Sequence, residues 1–148
     1  MTMLLSSHNL WYMYKRDIVY IEQYHFSKTG EKRNKYFVVL SDTWIYLDII
    51  FVFTTSRIEK YAWLSEEEKV LIPAWLIECF DRDTIICIKN IHKVDKNDLL
   101  KNKIEVQWQI PSVIFDELIE KIHKSPYIKP YIKKLLSGNW WQQNKPVQ

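Results

Sequence analysis

Residues 17–41 read DIVYIEQYHFSKTGEKRNKYFVVLS, two β-branched and aromatic runs on either side of a polar, basic insert. In Asp17–Tyr24 the side chains alternate. Ile18 and Tyr20, with Glu22, fall on one face, and Val19 and Ile21, with Gln23, on the other, which is the period of a strand. Tyr36–Leu40 is short and continuously apolar, the pattern of a strand buried on both faces. Between them His25–Asn34 reads as a loop that holds Gly30 and, counted through Lys35, four cations.

Downstream, Ile45–Thr55 is a third β-branched and aromatic run, reached through a turn at Ser41–Trp44. Ser65–Glu68 fits a capping box ahead of Pro73, whereas the adjoining KVLIPAWLIE reads equally well as a strand. Thr84–Lys89 and Lys103–Gln109 read as further strands, with a short helical turn at Asp98–Lys101 between them. Ser112 then stands where a helix N-cap belongs. Behind it Ile114, Phe115, Leu118, Ile119 and Ile122 recur at helical spacing, and Asp116 and Glu117 sit where the dipole favours anions. Pro126 interrupts, and a second helix is expected over Tyr127–Leu136, ending at Gly138. Strands first and helices last predict a mostly β, α+β protein. Its core would be a small antiparallel barrel or sheet of about five to seven strands under C-terminal helical cover.

Composition narrows the function. At 148 residues the chain is sized for a single domain. It has two glycines, where average usage of about 7% would give roughly ten. One internal glycine cannot write a dinucleotide fingerprint or a phosphate-binding P-loop. Seven Trp, nine Tyr and six Phe argue against disorder. The net charge of +3 is unevenly placed: from Lys121 onward there are six lysines and no carboxylate, so the preceding 120 residues carry −3. Such asymmetry suggests nucleic acid or an acidic partner. Cys79 and Cys87 have no metal-ligand spacing and read as buried thiols. Ile45–Phe53 is broken by Asp48 and is far shorter than a membrane span, and residues 1–16 do not read as a signal peptide. The expected location is the cytoplasm, with no membrane contact.

Asp17-Ile18-Val19-Tyr20, then the basic insert, then Lys35–Ser41, then Phe53-Thr54-Thr55-Ser56-Arg57-Ile58 resemble in order and spacing the opening of the MazF/PemK toxins. Thr84–Asp95 resembles that family's next strand, and Ser112–His123 its following helix. The resemblance spans residues 14–124 and leaves 125–148 as a basic C-terminal helix and tail. It implies an SH3-like barrel that acts as the endoribonuclease toxin of a type II toxin–antitoxin pair. Such an enzyme cuts single-stranded RNA by attack of the 2′-hydroxyl on the adjacent phosphate, with neither metal nor other cofactor. It also implies a homodimer and an acidic antitoxin as partner.

The resemblance places the loop-end cation of the family at Lys35, where the family has arginine, with Tyr36 in place of its proline. Lysine is a point charge and lacks arginine's two-pronged donor, so Arg33 is a second candidate for that role. The strand-end threonine falls on Thr55, with Thr54, Ser56 and Arg57 beside it as RNA contacts. The Arg-x-Asp pair of some members falls near Cys87 and Lys89 and is absent. His25 is the candidate proton-transfer residue. Lys28 and Lys32 would attract the RNA backbone. Tyr24, Phe26 and Trp44 are candidates for base stacking. His92 and His123 are read as structural. The alternative function is a barrel that binds without cutting, either a topoisomerase poison of the CcdB type or a degenerate relative of the toxins. A further reading places nucleic-acid binding on the basic C-terminal segment.

Overall fold

The computed structural model describes residues 13–26, 28–42 and 48–137. Among these residues six strands form one antiparallel sheet: β1 (Asp17–His25), β2 (Lys32–Val39), β3 (Asp48–Thr55), β4 (Lys69–Ile72), β5 (Thr84–Asp95) and β6 (Ile104–Gln109). Their order is β4-β5-β3-β2-β1-β6, and the sheet curls into a half-barrel. Helices α1 (Lys96–Leu99), α2 (Ser112–Lys124) and α3 (Pro130–Leu136) complete the mostly β, α+β fold that the order of runs predicts.

The period of two divides the apolar residues between two cores. Ile18, Val38, Ile50, Val52, Ile86 and Ile88 pack beneath Phe115, Leu118 and Ile122 of α2 and Ile132 and Leu136 of α3. Val19, Ile21, Phe37, Val39, Ile49, Phe51 and Phe53 fill the opposite face with Met13, Leu99 and Ile104. A sheet covered on both faces explains why residues 36–39 of β2 and 49–53 of β3 are apolar without alternation. Lys121 locks α2 to the sheet, its ammonium donating to the carbonyls of Glu66 (2.6 Å) and Lys69 (2.9 Å).

Several boundaries depart from expectation. β2 begins at Lys32, because Lys32 and Arg33 pair with His25 and Tyr24 of β1. The connection shrinks to a hairpin tip in which Gly30, at φ +73°, donates to the Phe26 carbonyl (2.8 Å). β5 runs on to Asp95, since Ile91–Asp95 pair with Asp48–Val52. Ser65 makes no side-chain cap, although a 3-10 turn does follow at Glu66–Glu68. The cap of α2 is Pro111 and not Ser112: the Pro111 carbonyl accepts from the Ile114 and Phe115 amides, and proline has no N–H to satisfy. α3 starts at Pro130, whose fixed φ suits the first helical position. Gly138 lies outside the described residues. Among those described, no helix is long and apolar enough to cross a membrane.

Candidate nucleic-acid interface

β2 and β3 run side by side and bring Arg33 and Lys35 against Thr54 and Thr55. These four residues border two clefts, one of about 470 Å³ and one of about 410 Å³. The larger continues past Ser56 and Arg57 to Cys79, Asp81 and Arg82. The smaller is floored by aromatic rings and reaches His25, Lys28, Lys60 and His92.

The inward face of β2 carries Lys35 two residues before Phe37, so its ammonium lies over the Phe53 ring, 5.9 Å from the centroid. Burial pushes the Lys35 pKa below the usual lysine range, and Arg33, Arg57 and Lys60 lower it further. A half-buried cation facing three others is costly for the empty protein and favourable for an anion. Arg33 pairs with Glu31 at 2.7 Å on the surface. Thr54 is buried and donates its hydroxyl to the Tyr36 carbonyl (3.3 Å), so it joins β3 to β2 beneath the surface. Thr55 accepts the Arg57 amide at its hydroxyl oxygen (3.1 Å), a turn that re-aims the chain after β3 and leaves the hydroxyl proton available to donate. In the larger cleft, burial pushes the Cys79 thiol up to about 11, which keeps it protonated.

A bulge builds the smaller cleft. The register of β1 on β2 shifts between Ile21 and Tyr24, with Gln23 at φ +55° and its amide donating to Asn34 Oδ1 (3.0 Å). Simple alternation would put Tyr24 on the face of Ile18 and Tyr20; the extra residue turns it to the face of Ile21. There Tyr24 meets Phe53 (5.0 Å between ring centroids) and Phe26 (5.1 Å), and Phe26 meets Phe53 (5.4 Å). A second irregularity, in which Val52–Thr54 of β3 face Ile86–Ile91 of β5, brings His92 to the same face. Its imidazole stacks on Phe51 (5.4 Å, 11° between planes) and meets the edge of Phe53 (4.9 Å). Burial lowers the His92 pKa, and the Lys28 charge lowers it further.

Of the residues singled out in the sequence, Lys35, Arg33, Thr54 and Thr55 border both clefts, Ser56 and Arg57 the larger, and His25 and Lys28 the smaller. Lys32 is exposed opposite His25 and borders neither. Trp44 lies outside the described residues. His123 is exposed on α2. His92, read as structural in the sequence, stands on β5 and lines the smaller cleft, as do Lys60, Tyr61 and Asn90. No signal along the chain marks these four, because turns and strand irregularities bring them in. Lys89 points elsewhere, pairing with Glu68 (3.4 Å) and covering the Tyr127 ring (4.4 Å).

Neither a protein-family model nor a curated protein sequence matches the chain. Solved structures do. The MazE–MazF complex of Deinococcus radiodurans aligns over 80% of this chain and 99% of that one, with a TM-score of 0.53 at 13% identity. MazF of the same organism aligns over 75% and 93%, with a TM-score of 0.51 at 16% identity. The fold is MazF-like. What the MazF-like fold positions in this chain is a ridge of cations and hydroxyls between two clefts, one of them walled by aromatic rings. The fold expected from the resemblance is the fold observed, and Lys35 stands on β2 itself rather than at the end of a loop.

Proposed function

We propose that this chain is the toxin of a toxin–antitoxin pair, a metal-independent endoribonuclease that cuts single-stranded RNA. The observation that supports it best is the gathering of Lys35, Arg33, Arg57 and Lys60 about the end of β3 in a MazF-like fold. A phosphodiester lying across the ridge relieves the mutual repulsion of these cations. The pentavalent state, with one more negative charge, relieves it further, so the site favours the transition state over the substrate. The Thr55 hydroxyl donates to a non-bridging oxygen while the Arg57 amide holds its own oxygen in place. His25, exposed at the end of β1, takes the proton of the attacking 2′-hydroxyl. The O2′–P bond forms and the P–O5′ bond breaks. O5′ leaves with a proton taken from water, and the other product carries a 2′,3′-cyclic phosphate that a further water opens to a 3′-phosphate. An acidic antitoxin, a homodimer and a cytoplasmic setting belong to the same proposal.

Purified protein incubated with a mixed single-stranded RNA in EDTA is expected to yield cyclic-phosphate ends. Intact RNA beside folded protein would refute the reading. The Lys35→Ala/Arg33→Ala pair is expected to slow cutting by roughly 100-fold, the scale for lost oxyanion donors, with an unchanged circular dichroism spectrum. If expression in cells damages DNA and leaves RNA whole, the non-cleaving, CcdB-type alternative holds instead.

A further inference from the structure

The geometry points to the smaller cleft as a subsite for one unstacked nucleobase of the RNA strand, with Asn90 and His92 of β5 reading its edge. The inference rests on the RNA-cutting proposal and adds where, beside the phosphate, the strand is read. Tyr24, Phe26 and Phe53 form a triangle of rings with centroids 5.0–5.4 Å apart. Phe53 is covered, whereas Tyr24 and Phe26 are only partly so, and they offer ring surface to a planar guest. A base stacks on such a surface whatever its identity.

Polar groups at the wall supply what the rings lack. The Asn90 amide carries donors and an acceptor and stands exposed at the cleft. Phe51 and Phe53 fix the plane of the His92 imidazole. Burial keeps that ring neutral near pH 7, so one nitrogen donates and the other accepts. Lys28 and Lys60 flank the opening and suit the phosphates on either side of the base. Continuity with the reaction site comes from Lys35, whose ammonium borders the Phe53 ring and the phosphate ridge together. A base in the cleft and a phosphate at Lys35 therefore belong to neighbouring positions of one strand.

An abasic scan tests the assignment. A labelled single-stranded 2′-O-methyl oligonucleotide, which cannot be cut, is titrated by anisotropy with one base removed at a time. With the wild-type protein, one position is expected to lose about tenfold in affinity, within the range for a base stacked on aromatic rings. With Phe26→Leu that same position is expected to become insensitive. Asn90→Ala, at an exposed site that does not bear on folding, is expected to keep the positional loss but flatten the preference among the four bases there. A flat scan with the wild type, or a positional loss and base preference unaltered in both variants, would overturn the inference. The outcomes separate the two proposals. RNA cut with a flat scan removes the subsite and leaves the nuclease. One sensitive position without cutting keeps the subsite and removes the nuclease.

Discussion

Lys35 occupies a position that folding alone would not choose. Its ammonium is half-buried over Phe53, and Arg33, Arg57 and Lys60 add to the penalty on its charge. Because its folded pKa lies below the unfolded one, the charged lysine costs stability at every pH below the folded value, and the cost is relieved only as pH rises toward the unfolded value. Lys35→Met, which keeps the stem and removes the charge, is expected to stabilise the protein by roughly 0.5–2 kcal/mol while removing RNA cutting. Urea melts and cleavage assays on the same preparation check this, and a lower midpoint would contradict it. Lys35 and Thr55 could be picked out in the sequence because the resemblance to the MazF/PemK toxins places that family's loop-end cation and strand-end threonine on them. His92 could not: Ile91 and Lys93, its neighbours in the chain, give no hint that Phe51 and Phe53 lie against it.

At the scale of elements, both strand irregularities serve the smaller cleft. The bulge at Glu22–Gln23 turns Tyr24 inward, and the excursion of β5 around Lys89–Asn90 does the same for His92. Neither is visible as a break in hydrophobic pattern, since the polar residues involved look like ordinary solvent-facing positions. The charged start of β2 was hidden for the same reason, and so was the second half of β5, where polar residues interrupt the apolar ones. α3 illustrates a different point. Its lysines suggest a binding face, yet Ile128, Ile132 and Leu136 are buried in the core beneath α2. Each such side chain is worth about 2–5 kcal/mol, so truncation after Ser125 is expected to abolish cooperative unfolding, whatever the lysines bind. A sharp thermal transition in the truncated chain would show that α3 is dispensable.

For the whole molecule, the aromatic excess divides by location. Phe37, Phe51 and Phe53 lie in the core, Tyr24 and Phe26 at the cleft, and Trp63 and Trp75 on the surface, where they are 74% and 82% exposed. Titration also has a global consequence. His92 has a folded pKa below its unfolded value of about 6.5. As pH falls through that value, the unfolded chain takes up the proton first, and stability drops until the folded ring is also protonated. Asp17, whose pKa burial raises, acts oppositely: it relieves a penalty as acid protonates it. The melting temperature is expected to fall between pH 7 and pH 5, with a shallower slope in His92→Gln. Equal slopes for the two proteins would remove His92 as the cause.

By periodicity and residue type, which act over a few neighbours in the chain, the sequence by itself determined the class of fold, the first two strands and the amphipathic α2; the candidate cations and hydroxyls followed from its resemblance to a known family. Tertiary structure alone decided which of those groups share a cleft, that Thr54 is committed to a buried hydrogen bond, and that His92 and Asn90 line the same cleft as His25. Such relations depend on strand register, and one extra residue in a strand reverses every face beyond it.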